Sequence, residues 1–516
     1  MEAAKRVAKN TGILYARMAI TVFISLYSTR LILAALGVAD FGLFNVVGGV
    51  ISMLGFLNSS MAQATQRFMS YAQGEGNLEK VKRIFNMSFI LHAVIAVLMV
   101  FVLEIAGYFF FNGILNIPPE RVEVAKIIYH FMVASTLFTV LSVPYEAVIN
   151  SHENMLYYAI LGLIEAVLKF GIAVYITSSL LDHLLAYGFL MAALSIFLLI
   201  LRRIYCHRNY VECVLNFRKY YEKNLMSEIT SFAGWTLLVS STSMLAFYGQ
   251  GLIINVFFGT AVNAAQGVAA QISGQLGVFA LTLGKALNPL IDKSEGAGNR
   301  DMMLRVTLIG TKMSFLLLCF LIIPLIIEMP LLLNLWLKEV PEYTVLFCKL
   351  LLLKSLIDQL WMPLTNAIAA VGDIKNYKII SSILYFLPVL LSYFFFTKGF
   401  SPTTIYILFV LFSFLQFLIV IYFAKINCNL SLKLFFRNIV FKCILVFILS
   451  SMINYLPVLF IKDNLSRVFI ILAIGGISFP LLIWHIGLTK VERLMVINIK
   501  YFIVEKVNQI REKIPI

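Results

Sequence analysis

The chain has 516 residues, of which 61% are hydrophobic and 13% charged, about half the charged fraction of a soluble domain. A soluble globule could not bury so much apolar side chain, so that class is excluded. The net charge of +15, from 41 Lys and Arg against 26 Asp and Glu, points first to nucleic acid, but the placement of the basic residues explains it differently.

Apolar runs of about twenty residues match the roughly 30 Å hydrocarbon core of a bilayer. Backbone groups in lipid must be satisfied within their own segment, so such runs are helices. In chain order they predict spans at 11–36, 41–65, 84–111, 123–145, 155–178, 183–205, 229–258, 261–290, 304–333, 343–370, 377–398, 402–424, 438–461 and 467–488. The first follows Lys5, Arg6 and Lys9 and is too long for a signal-peptide apolar region, so no cleavable signal is expected. After the last span, Val496, Ile499, Ile503, Val507, Ile510 and Ile514 recur at helical spacing among Lys500, Lys506, Arg511 and Lys513. That tail reads equally as an amphipathic helix on an anionic leaflet or as a solvated helix.

The connections alternate. Gly37 to Asp40, 116–120, Ser178 to Asp182 and Gly259-Thr260 are short or acidic, whereas Arg67 to Arg83, Arg202 to Lys223, Lys293 to Arg305 and Lys425 to Lys442 are longer and basic. The basic set, Lys375 and Lys378 after the tenth span, and both termini together hold 28 Lys and Arg, and the other side holds 5. Positive residues stay in the cytoplasm, so both termini are expected inside a bacterial cytoplasmic (inner) membrane, and no nucleic-acid partner is expected. Cys206, Cys213, Cys319, Cys348, Cys428 and Cys443 lack CxxC spacing and read as reduced and structural. The six histidines show no metal-ligand spacing either, so no metal is expected.

The chain also repeats itself at an offset of 222 residues. GEGN at 74–77 falls on GAGN at 296–299, Gly12 on Gly234, Gly37 on Gly259, Val46 on Val268, Arg83 on Arg305, Asn112 on Asn334 and Pro119-Glu120 on Pro341-Glu342. Glycine, proline and asparagine punctuate structure, so their coincidence over more than a hundred residues marks a true repeat. Each unit holds six helices, an even number, so the copies run parallel. The expected fold is an all-α integral membrane protein of about fourteen helices. Its expected parts are an N-lobe at 1–205, a cytoplasmic linker at 206–228, a C-lobe at 229–424, two further helices at 425–488 and the tail at 489–516. Two such lobes enclosing a cavity with alternating access is the architecture of a transporter, not of an enzyme.

Local sequence supports a family resemblance. Leu36-Gly37-Val38-Ala39-Asp40-Phe41-Gly42-Leu43-Phe44-Asn45-Val46-Val47 resembles the LGxxDYGxYxxV signature of polysaccharide transporters. The helix from Asn10-Thr11 to Arg30, QATQR at 63–67 and Ala370-Val371-Gly372-Asp373-Ile374-Lys375-Asn376-Tyr377 are similar to the same group. This is the superfamily of multidrug (MATE), oligosaccharidyl-lipid and polysaccharide exporters, and the chain most resembles bacterial O-antigen and capsule-repeat flippases. The resemblance implies a MATE-like fold and, as cargo, an undecaprenyl-pyrophosphate-linked oligosaccharide. Besides membrane lipids, polysaccharide polymerase machinery would be a partner, and the chain itself would be monomeric.

A charge at the centre of a membrane helix costs about 2.5 to 3.5 kcal/mol on insertion scales, so each needs a reason. Glu165 and Lys169, and Lys354 and Asp358, stand four residues apart and can satisfy each other. Arg17, Arg30, Lys285 and Lys312 have no carboxylate one turn away. At the repeat offset Arg17 meets Val239, Arg30 meets Leu252 and Lys285 meets Gln63. The scaffold therefore repeats while these cations do not, and a cationic cavity is set against helix partners not visible in sequence. Guanidinium pairs bidentately with phosphate and stays charged when buried. Arg17, Arg30, Lys285, Lys312 and Lys169 are therefore the candidates for holding the anion. Asn45, Ser52, Gln63, Gln66, Gln266 and Gln271 are candidates for the glycan, although small and polar residues also pack helix on helix. No cofactor is expected. Coupling to a proton or sodium gradient would fall to Glu104, Glu165 or Asp358, and the membrane potential is a further drive. The competing readings are a cation-coupled drug exporter of the MATE type, a lipid II flippase, and a membrane-embedded glycosyltransferase or polymerase. The last would need an acidic catalytic cluster or a large extramembrane loop.

Overall fold

A computed structural model describes residues 2–497 apart from 54, 115–118, 338, 463 and 495. Most of the 489–516 tail, and the side chains of Asn45 and Ser52, lie outside the described set. In chain order the α-helices are α1 (Glu2–Met53), α2 (Gly55–Gly74), α3 (Leu78–Phe109), α4 (Val122–Ser151), α5 (Met155–Thr177), α6 (His183–Asn209), α7 (Phe217–Tyr220) and α8 (Lys223–Gly296). They continue as α9 (Arg300–Trp336), α10 (Thr344–Gln359), α11 (Met362–Val371), α12 (Lys375–Thr397), α13 (Thr404–Cys428), α14 (Leu432–Phe435), α15 (Phe441–Phe460) and α16 (Leu465–Leu482). Eleven helices among the described residues are long and apolar enough to cross a membrane. The chain is an all-α, multi-pass membrane protein. The other three expected spans correspond to the stretch beyond Gly37, the second limb of α8, and α10 with α11.

The helix ends follow their capping residues. Asn77 accepts from the Lys80 amide, Asn154 from that of Tyr157, and Asp182 from those of Leu184 and Leu185, each satisfying donors that a helix start leaves open. Two expectations are corrected. The tenth span, expected as one helix over 343–370, is broken at Leu360-Trp361. Pro363 lies in the first turn of α11, where a ring that has no amide to donate is tolerated, as it is not in the middle of a continuous helix. The connections at 37–40 and 259–260, in turn, shrink to one non-helical residue each. Gly37 (φ 72, ψ 170) and Gly259 (φ 77, ψ −173) bend α1 and α8, which run on as helix on either side.

Those bends lie 222 residues apart and share one backbone conformation, so the repeat is physical. The α2–α3 and α8–α9 turns match in the same way. Glu75 N donates to Tyr71 O at 3.0 Å and Ala297 N to Lys293 O at 2.9 Å, and Asn77 N and Asn299 N reach back to Ala72 O and Ser294 O. Gly76 and Gly298 carry φ of 71 and 70. The two turns also touch each other symmetrically. A Cβ on Gly74 would stand 2.1 Å from Lys293 O, and one on Gly296 would stand 2.0 Å from Tyr71 O.

The chain divides into two compact units, one of Gly12–Ser241 with Asp292–Asn299, the other of Met1–Thr11, Thr242–Ile291 and Arg300–Ile516. In the first unit α4 packs on α2, α3, α5 and α6. One guanidinium, Arg121, ties Asp40 (2.6 Å) and Asp182 together at one end. At the other end the 206–228 stretch does not hang free. Asn86, wholly buried, accepts from Asn216 N (2.9 Å) and donates to Val214 O (2.8 Å), Glu212 pairs with His152, and Arg83 meets Glu222 at 2.7 Å. In the second unit α9 is the hub, against α10, α11, α15 and α16. Arg467 grips Glu328 through two bonds of 2.6 and 2.8 Å, and Lys312 grips Glu492 through two of 2.9 and 2.7 Å. Both pairs are buried. They fasten α16 and the segment after it to α9 at separate levels. All six cysteines are free and buried.

Candidate functional site

The expected site residues are shared between the units. Arg17, Arg30, Lys169, Asn45, Ser52, Gln63, Gln66, Glu104 and Glu165 belong to the first, and Lys285, Lys312, Gln266, Gln271 and Asp358 to the second.

In the first unit, Arg17 projects from α1 onto α5. Its guanidinium carbon lies 4.6 Å from the centre of the Tyr158 ring, within cation–π reach. It rests in the gap left by Gly162, where a Cβ would stand 2.0 Å from Nε and 2.3 Å from Cζ. Arg17 is half-buried, and its Nε is buried with no hydrogen-bond partner. Among the described residues no carboxylate pairs with it. Tyr158, Gly162, Glu165 and Lys169 are spaced by four, three and four residues, so they line one face of α5. Lys169 bonds Glu165 at 2.7 Å, as the spacing predicts. The face thus offers a guanidinium that no carboxylate among the described residues pairs with and, along the helix, a self-neutralised pair.

The other candidates sort themselves by partner. Lys312, wholly buried, is engaged by Glu492. Glu104 bonds His130 at 3.1 Å across α3 and α4. Arg30, Gln63, Lys285 and Gln271 are exposed. Gln66 accepts a long 3.4 Å bond from Asn150. Gln266 is buried beneath Gly251, where a Cβ would stand 3.0 Å from its Oε1.

In the second unit, Lys354 bonds Asp358 at 2.6 Å, and Ser413 donates to the other carboxylate oxygen at 2.6 Å. With Trp361, Tyr385 and Gln416 they line a cavity of about 20 Å³, room for a single water. Trp361 Nε1 and Gln416 Oε1 are buried there without a partner. A donor and an acceptor left open beside an ion pair suit a proton-bearing molecule of water size. They do not suit a sugar or a drug.

Sequence reasoning placed Arg67 in a basic loop. The structure buries it, with its guanidinium 4.7 to 5.3 Å from the ring centres of Phe68, Tyr71 and Phe232. The carboxylates of Asp292, Glu228 and Glu295 act on it electrostatically. The nearby aromatics Phe68 and Tyr71 were the available signal, and the distant acids were not.

Residues 15–175 match the MatE family model, a family of transporters rather than enzymes. No curated protein matches the chain. Among solved structures it is similar to a MATE transporter in the straight conformation, with a TM-score of 0.71 at 12% identity over 83% of this chain and 96% of that one. An outward-facing multidrug resistance MATE family transporter of the MOP superfamily likewise gives a TM-score of 0.71 at 12% identity with the same coverage. A MOP superfamily transporter from Pyrococcus furiosus gives 0.66 at 14% identity, again over 83% and 96%. Its description holds that the reversed polarity of its binding pocket suggests a different function. The fold is that of the MATE transporters.

Proposed function

We propose that this protein is a flippase of the bacterial cytoplasmic membrane. On this reading it moves an undecaprenyl-pyrophosphate-linked oligosaccharide, an O-antigen or capsule repeat unit, outward by alternating access. The observation that carries the reading is Arg17. A guanidinium in a membrane helix is costly, and this one has a ring and a glycine around it but, among the described residues, no carboxylate paired with it. The site is therefore complete only when an anion arrives, and a pyrophosphate accepts both edges of the guanidinium fork. A cation-exporting protein would present acid here. The Pyrococcus furiosus relative shows that a pocket of reversed polarity is compatible with the fold. Both termini would be cytoplasmic, in keeping with the 28 to 5 distribution of Lys and Arg. Coupling would use a proton at Asp358, whose cavity admits water, or the membrane potential acting on the anionic cargo.

The test is complementation of a deletion strain. Arg17→Ala, present at normal levels, should restore surface glycan at least about tenfold less well than the unchanged protein, the factor expected when a charge-assisted bond is lost. Arg17→Lys should restore an intermediate amount, since the charge stays and the fork goes. Full restoration by Arg17→Ala would refute the assignment of Arg17.

A further inference from the structure

Gly162 has no side chain, yet it decides where the Arg17 guanidinium can lie. A methyl group there would stand 2.0 Å from Nε and 2.3 Å from Cζ and one terminal nitrogen, far inside van der Waals contact. The obstacle is the end of a flexible side chain, unlike the situation at Gly74 and Gly296, where a Cβ meets backbone carbonyl. An alanine at 162 therefore meets the guanidinium first and displaces it. Alanine also favours the helix over glycine, so α5 itself gains nothing from glycine at this position. One turn earlier, Tyr158 supplies the ring that holds the cation at 4.6 Å.

We propose that Gly162 and Tyr158 are positioning residues. Glycine leaves the floor open, the ring holds the cation in place, and together they fix Arg17 in the pose that receives the anionic group of the cargo. Arg17 itself would make the contact, and neither Gly162 nor Tyr158 needs to touch the ligand. This rests on the assignment of Arg17 above, and its consequences separate from that assignment. If Gly162 acts only through Arg17, Gly162→Ala reproduces Arg17→Ala, and the two together are no worse than either alone, because coupled sites are non-additive. Tyr158→Leu removes the aromatic face and should weaken binding.

The experiment uses the full-length chain in detergent, with undecaprenyl pyrophosphate as probe and undecaprenol, which lacks the phosphates, as control. Arg17→Ala and Gly162→Ala should each weaken binding of the pyrophosphate about 10- to 100-fold, and the double variant should bind like the singles. Undecaprenol binding should not change. If Arg17→Ala binds the probe normally, the anion assignment fails. If Arg17→Ala weakens binding and Gly162→Ala does not, the positioning role fails alone, and it fails equally if Gly162→Ala costs as much in the Arg17→Ala background as in the unchanged protein. A ligand-free readout stands beside these. The Arg17 Nε–H resonance, identified by its loss in Arg17→Lys, should carry the ring-current shift of Tyr158 and lose it in Gly162→Ala. An unmoved resonance would overturn the proposal whatever the cargo is.

Discussion

Lys312 and Arg17 show how two cations of similar sequence context acquire different meanings. Both sit in apolar helices without an acid one turn away, and both are expected to meet an anion. Lys312 finds its anion within the protein, for Glu492 closes on it with two bonds in a buried setting. Thr489 and Glu492 form a capping box as well, each side chain accepting from the other's amide, so the carboxylate is held from two sides. Removing one partner of a buried pair leaves the other charge uncompensated. Lys312→Met should therefore cost about 3 to 5 kcal/mol, while Lys312→Met with Glu492→Met should recover most of it. Thermal unfolding in detergent checks this, and equal midpoints for the single variant and the unchanged protein would contradict it. Why sequence did not separate the two is physical. Glu492 lies 180 residues from Lys312, and His130 lies on the helix after that of Glu104. Pairs at four-residue spacing, Glu165–Lys169 and Lys354–Asp358, were legible because one helix fixes their geometry. Pairs between helices depend on packing that periodicity does not encode.

At the scale of the element, the repeat is carried by glycines whose roles differ. Gly37 and Gly259 occupy a region of backbone space open essentially to glycine alone, and an alanine there costs on the order of 1 to 3 kcal/mol. Nothing lies within 4 Å of either added Cβ, so the whole cost is conformational. Gly37→Ala and Gly259→Ala should thus destabilise by similar amounts, and their effects should add because they act at separate sites. Unfolding midpoints of the two singles and the double test this. A neutral result at either position would show that the bend is not required. The matching of GEGN to GAGN was legible in sequence because turns demand particular residues. The contact between those turns was not, since a glycine needed for close approach and one needed for positive φ read alike. The break before Pro363 had a signal in the proline itself. Pro144, however, sits within an unbroken α4, so proline alone did not decide the matter.

For the molecule as a whole, composition and charge distribution were enough to read the class, because a membrane constrains hydropathy and loop charge far more than water does. The cargo is less legible. It depends on a few side chains set against a scaffold shared with drug transporters. The two buried ion pairs on α9 make α16 and the segment after it part of the second unit, so the additional helices belong to the body of that unit. Whether the cargo is the proposed anionic lipid-linked glycan is read out by deleting the protein in its native host and measuring surface glycan and undecaprenyl-linked intermediates together. Loss of a surface glycan is expected, with its lipid-linked unit accumulating on the cytoplasmic face and both defects reversed by the unchanged protein. An unaltered surface glycan in cells that instead retain cationic dyes would contradict it and favour drug export.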